Sequence, residues 1–220
     1  MELHWLRRDG CPECLVFFSG WGMDPAPFVP LELPECDLLF ICDYRTLQPF
    51  SPQLLSGYRR CRLLAWSMGV WVAAHLLADR ADLFSARTAL GGTLQPLDAR
   101  LGLPPAAYEA MLADFGPPVL DAFYRSMFDS ETELATFLAH RPGRSMEALR
   151  DEMLAFRNAV RSQPPPADCY TRHLVTSRDQ VFPGRNQIRA WGKERCTLVR
   201  WPHFPFYQCG GWPGLSTETA

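Results

Sequence analysis

The segment Leu63-Leu64-Ala65-Trp66-Ser67-Met68-Gly69-Val70-Trp71 constrains this chain more than any other. A continuous apolar run meets a serine flanked at two positions by small residues, Ala65 and Gly69. A proline-free helical stretch, 70–78, follows at once. A strand that passes into a helix through so sharp a turn belongs to a parallel sheet, whose strands are apolar on both faces. Other short apolar runs agree: 15–19, 38–42, 61–66, 174–177 and 197–201 read as strands, with helical stretches such as 186–193 between them. The expected class is α/β, with a mostly parallel sheet covered by helices. At 220 residues and 47% hydrophobic content, one such domain with an insertion has ample material for a core.

The stretch 95–167 breaks the alternation. It holds no apolar strand but four helical patterns, at 105–114, 118–128, 131–140 and 145–161, bounded by Leu94-Gln95-Pro96 and Pro164-Pro165-Pro166. Seventy residues is far more than one crossover needs. The expected organisation is an α/β core, 1–94 and 168–220, with an inserted α-helical cap, 95–167, forming a pocket wall. The tail after Gly210-Gly211 reads as poorly tied down.

Three elements carry chemistry. A serine on a strand-to-helix turn projects its hydroxyl above the sheet, and the Met68 amide at the helix start faces an oxygen that becomes negative during acyl transfer. Ala65 departs from the glycine of the G-x-S-x-G pattern but is still small. The glycine-rich loop Ser19-Gly20-Trp21-Gly22, after an early strand, offers a second amide, that of Trp21. Downstream, Asp179 and His203 each follow a late strand. The order Ser67, Asp179, His203 is that of α/β-hydrolases, with histidine as the proton carrier and aspartate orienting it. His4, His75, His140 and His173 rank lower by position, and Asp43 or Asp129 are the substitutes for the acid.

A net charge of -2 gives no global field for nucleic acid. Neither apolar run, 15–18 or 63–78, has the length and continuity of a membrane span, and no export signal is read, so a cytoplasmic protein with reduced thiols is expected. Cys11-Pro12-Glu13-Cys14 has the spacing of a zinc knuckle or redox motif, but it precedes a strand and lacks a second ligand pair. It reads as a turn without metal.

The combination Ser19-Gly20-Trp21-Gly22-Met23-Asp24 with Pro27-Phe28, Ala65-Trp66-Ser67-Met68-Gly69-Val70-Trp71 and His203-Phe204-Pro205-Phe206 resembles the BioG-type pimeloyl-[acyl-carrier protein] methyl ester esterases of biotin synthesis. The resemblance covers almost the whole chain, accounts for Ala65, and stops at the tail after Gly210. It implies a capped α/β-hydrolase without metal or organic cofactor that releases methanol from a carrier-bound methyl ester. It maps the triad onto Ser67, Asp179 and His203, and the oxyanion amides onto Trp21 and Met68. An apolar tunnel is implied, with Trp21, Phe123, Phe128 and Phe204 as lining residues. An acidic carrier protein would dock on cap arginines among Arg125, Arg141, Arg144, Arg157 and Arg161; a monomer is favoured. Another capped serine hydrolase, such as a thioesterase or short-chain carboxylesterase, and a non-catalytic ligand-binding relative are the alternatives.

Overall fold

The structure is a computed structural model and describes residues 1–216. Seven strands are described: β1 (Glu2–Arg7), β2 (Glu13–Phe18), β3 (Asp37–Cys42), β4 (Arg60–Trp66), β5 (Ala86–Leu90), β6 (Arg172–Thr176) and β7 (Cys196–Val199). They lie in one sheet in the order β1-β3-β2-β4-β5-β6-β7. β1 runs antiparallel to β3, and every other pair is parallel. Helices α1 (Met68–Leu77), α2 (Pro105–Ala113), α3 (Pro117–Ser126), α4 (Glu131–Ala139), α5 (Met146–Ser162), α6 (Gly184–Trp191) and α7 (Gly211–Ser216) complete the chain.

The central strands are the continuously apolar ones. β3 is buried along its whole length, and β2 from Cys14 onward. Successive side chains alternate between two cores, as strand geometry requires. Val16, Phe18, Leu63 and Ala65 face the core shared with α1 and α5. Leu15, Phe17, Leu64 and Trp66 face an aromatic core on the other side. The edges were less legible. β1 is half exposed, so its run Glu-Leu-His-Trp-Leu-Arg has no continuous apolar face, and His4 lies within the sheet rather than ahead of it. β5 hides behind Arg87, whose guanidinium donates to the carbonyls of Cys169, Ala81 and Phe84 and so buries a charge-bearing strand without orphaning it.

Helices α2 to α5 all fall between β5 and β6, as the composition of 95–167 anticipates. Their starts obey local rules: Pro105 and Pro117 occupy first helical positions, and the Ser130 and Ser145 hydroxyls accept from the amides of Glu133 and Ala148. Cys14 sits inside β2, where burial pushes its thiol up to about 12. Cys11 lies in the turn before it, held by the Asp37 carboxylate, which accepts from the amides of Asp9, Gly10 and Cys11. Among the described residues, the metal-ligand types that cluster are Glu2, His4 and Cys42, and not these two cysteines.

The tail differs from expectation. Gly210 and Gly211 adopt φ of +75° and +69°, turning the chain back over the sheet. Trp212 is then 0% exposed, packed against Phe17 (5.0 Å), Phe28 (5.5 Å) and Phe206 (5.6 Å), and Leu215 is buried beside it. A lone tryptophan after two glycines carries no period, so only the partner rings identify it as core. Residues 217–220 of that tail lie outside the described residues. Trp212→Ala is expected to cost about 3 kcal/mol, the range for emptying a buried aromatic site. Urea unfolding followed by fluorescence and circular dichroism measures it, and an unchanged midpoint would mean the tail is not part of the core.

Candidate active site

Strand β4 ends at Trp66 and α1 begins at Met68, leaving Ser67 alone to turn the chain. It does so at φ +58°, ψ −125°, a conformation that side chains rarely adopt. Close backbone approach holds it there. A Cβ on Gly69 would fall on the carbonyl oxygens of Phe18 and Ser19, and one on Gly92 would fall on the carbonyl of Ser67 itself. The Ser67 amide donates to the Leu90 carbonyl at 3.0 Å. Ala65, fully buried between β2 and β5, fits where the pattern has glycine.

The structure brings Ser67, Asp179 and His203 together from three loops. The Ser67 hydroxyl lies 3.0 Å from His203 Nε2, and His203 Nδ1 lies 2.8 Å from Asp179 Oδ2. Since a carboxylate only accepts, Nδ1 carries the proton and Nε2 is left to accept from the serine. Asp179 is positioned by its surroundings. Its Oδ1 accepts from the amides of Val181 (2.8 Å) and Phe182 (2.7 Å), and its Oδ2 from the Thr176 hydroxyl (2.7 Å) and Gln187 Nε2 (3.3 Å). The His203 ring stacks on Phe182 at 6.0 Å, and its carbonyl accepts from the Trp66 indole at 2.8 Å. Ser67 is 5% exposed and His203 1%. Thr176, Phe182 and Gln187 were not legible in the sequence. Thr176 at the end of a strand was the one available signal, and the others follow no motif.

The rival groups are engaged elsewhere. Asp43 pairs with Arg45 (2.6 Å) and Arg144 (3.1 Å), and Asp129 with Arg178 (2.8 Å) and Gln208 (2.9 Å). His75 stacks on Trp71 at 4.8 Å, His173 pairs with Asp168 at 3.1 Å, His4 pairs with Glu2, and His140 is exposed after α4.

Ser67 opens on an apolar cavity of about 260 Å³. Trp21 and Met68 line its core side, Phe182 the β6 loop, and Met111, Phe123 and Met153 the inserted helices. Trp21 donates its indole N–H to the Leu149 carbonyl (3.0 Å) and meets Phe123 edge-on at 4.9 Å. Met68 is the first residue of α1, so its amide has no partner within the helix. Two expected lining residues are elsewhere. Phe128 and Phe204 are buried in the aromatic core, 5.3 Å from each other and both against Phe137, because the Phe204 amide donates to the Met127 carbonyl and turns both rings from the cavity.

A model of the family described as pimeloyl-ACP methyl esterase BioG matches residues 1–214. The chain belongs to the BioG family. Its fold is accordingly that of an α/β-hydrolase, in a family of esterases. A crystal structure of BioG from Haemophilus influenzae is similar with a TM-score of 0.87 at 29% identity, covering 99% of this chain and 100% of that one. A Bacteroides fragilis protein named malonyl-[acyl-carrier protein] O-methyltransferase is 37% identical over 188 residues, 84% of this chain, and the chain spans 38% of that relative's length. A Vibrio vulnificus pimeloyl-[acyl-carrier protein] methyl ester esterase is 26% identical over 180 residues, 75% of this chain and 66% of that protein.

The arginines expected on the docking face divide. Arg125 and Arg141 are exposed. Arg157 and Arg161 both pair with Glu109, at 2.9 and 2.6 Å. Arg144, expected among the docking arginines, has a side chain only 9% exposed and lies between the buried carboxylates of Glu152 and Asp43. Burial works to raise Asp43, but the Arg45 hydrogen bond and the Arg144 charge outweigh it and hold its carboxyl below the usual range. Arg144→Glu would leave two buried acids facing a third, costing about 3 kcal/mol or more. Thermal melts are expected to separate it sharply from Arg141→Glu, whose melting point should stay at the wild-type value.

Proposed function

We propose that the chain hydrolyses the methyl ester of pimeloyl-[acyl-carrier protein], with Ser67 as nucleophile, His203 as general base and acid, and Asp179 orienting the histidine. The observation that carries this reading is the unbroken line of hydrogen bonds from Asp179 through His203 to Ser67, opening on an apolar cavity. Family membership supports the same substrate class. So does the name of the Bacteroides relative, which describes installing an ester of this kind on a carrier-bound acid.

The steps follow from the geometry. Ser67 Oγ attacks the ester carbonyl as its proton passes to His203 Nε2. Negative charge gathers on the carbonyl oxygen, where the amides of Trp21 and Met68 would donate. The tetrahedral intermediate collapses, the bond between the acyl carbon and the methoxy oxygen breaks, and the imidazolium protonates that leaving oxygen, releasing methanol and an acyl-enzyme on Ser67 Oγ. Water, deprotonated by the same Nε2, then attacks the acyl-enzyme, and Ser67 leaves with its proton restored. No cofactor takes part in these steps. The cavity suits a neutral ester on a short methylene chain, and the carboxylate product is disfavoured among Met111, Phe123 and Met153 once formed.

The chain divides on this reading into a core, 1–94 and 168–220, and a cap, 95–167, whose helices close the cavity. The partner is an acidic carrier protein whose phosphate-bearing arm delivers the ester, and of the five expected docking arginines Arg125 and Arg141 are left to meet it. The reaction sits with a cytoplasmic setting; among the described residues no helix is long and apolar enough to cross a membrane.

Incubation with pimeloyl-carrier-protein methyl ester, read by mass spectrometry, tests the reading. The carrier should lose the mass of one methylene while keeping its acyl chain; release of the whole acyl chain would make the protein a thioesterase. Ser67→Ala should lose several orders of magnitude in rate. Asp179→Asn should lose about 10⁴-fold, because the histidine tautomer is no longer held. An equal loss in Asp43→Asn or Asp129→Asn would displace Asp179 from its role.

Docking by charge has its own signature. Activity on the carrier-bound ester should fall as salt rises, since screening confines charge steering to about 8 Å at physiological ionic strength. Turnover of a small neutral ester should hold steady. Arg125→Glu combined with Arg141→Glu should raise KM for the carrier substrate alone. Parallel losses on both substrates would remove these arginines from the docking face.

A further inference from the structure

The loop that carries Trp21 is gripped on every side, and one of the grips is a buried charge. Glu152, on α5, is 0% exposed. Its Oε2 accepts from the amide of Gly22 at 3.1 Å, and its Oε1 from the amide of Tyr44 at 2.8 Å. The Arg144 guanidinium donates to Oε2 from the side. The Tyr44 hydroxyl, itself fully buried, donates to the carbonyl of Ser19 at 2.8 Å. Trp21 is therefore bracketed: the carbonyl two residues before it is held by Tyr44, the amide after it by Glu152, and its indole by the Leu149 carbonyl. Two of these three holds come from α5.

A carboxylate is a costly choice for that place. Burial raises the Glu152 carboxyl against the pull of Arg144 and the two amides, and an apolar pair of similar volume would bury at lower cost. What an apolar side chain does not do is accept two N–H groups from two different loops at once. Gly22 sits at φ +74°, where its amide direction is not set by any regular element, and Tyr44 follows Asp43, which is at φ +57°. The two irregular turns share Glu152 as their common acceptor.

We infer that Glu152 is a positioning residue for the ester reaction, fixing the Ser19–Gly22 turn from α5 so that the Trp21 amide is aimed at the oxygen of the carbonyl whose carbon Ser67 attacks. The inference rests on the serine-esterase reading above. Arg144 and Tyr44 complete the device: Arg144 balances the charge, and Tyr44 passes the hold from the Glu152 side to the Ser19 carbonyl. The helical insertion thereby does more than cover the cavity, since one of its helices sets the geometry of the core loop beside the nucleophile.

Glu152→Gln tests this, because the amide keeps the volume but can accept from one N–H only and turns a donor toward the other. Tyr44→Phe is the second variant, removing only the hydroxyl that holds Ser19. For each, kcat and KM are measured on a small methyl ester, together with the rate at which an alkyl fluorophosphonate modifies Ser67, since that reaction also places negative charge on an oxygen facing the Trp21 amide. The expected result is a fall in kcat of about tenfold to hundredfold, a KM within about twofold of wild type, and a fall in the phosphonate rate that tracks kcat. A folded Glu152→Gln with wild-type kcat, or with only KM changed, overturns the inference, as does a loss of kcat with phosphonate reactivity intact. Should Glu152→Gln fail to fold, the same criteria applied to Tyr44→Phe decide. Failure of wild-type Ser67 to react with the phosphonate would instead overturn the esterase reading, and the inference with it.

Discussion

The left-handed turn at Ser67 is the constraint around which the rest of the molecule is arranged. A serine at φ +58° persists only where its surroundings leave it no other conformation. Here the surroundings are backbone. The carbonyls of Phe18 and Ser19 lie where a side chain at Gly69 would be, and the Ser67 carbonyl lies where one at Gly92 would be. Strand β2, helix α1 and the turn after β5 must therefore approach one another to within touching distance. The parallel sheet order brings these three segments together, and the apolar burial of β2 and β4 supplies the driving force.

Once that junction is formed, polar groups can be buried beside it only if each finds a partner. Asp179 meets this condition with two backbone amides, a hydroxyl, a side-chain amide and the imidazole. Glu152 meets it with two amides and a guanidinium. The two acids are handled alike but lie on opposite sides of Ser67, one behind the histidine and one behind the loop of Trp21. Between them is a cavity with an apolar wall, onto which Ser67 opens.

Sequence and structure correspond most closely where chemistry and periodicity coincide. Ser67, Asp179 and His203 stand out because each follows an apolar strand, and the fold places each beyond a strand's end, with hydrogen bonds joining them. The correspondence is weaker wherever a side chain's environment depends on distant segments. Arg144 and Arg141 share a loop three residues apart, yet one is enclosed between two acids and the other is exposed. Phe123 and Phe128 belong to the same stretch, yet one faces the cavity from α3 and the other packs in the aromatic core, since α3 ends at Ser126 and Phe128 lies beyond it.

By itself the sequence determined the class of fold, the order of the central strands along the chain and the run of helices between β5 and β6, and it singled out Asp179 and His203, the two residues that the fold joins to Ser67. These are encoded locally, in apolar runs, glycines and the residue that follows each strand. The tertiary structure alone decided that Trp212 belongs to the core, that Arg144 is interior, that Phe128 and Phe204 leave the cavity, and that Glu152 holds the loop beside Ser67. The reason is physical. Each of these depends on a partner more than forty residues away or on which face of an element turns inward, and a side chain's local neighbours in the chain hold no record of either.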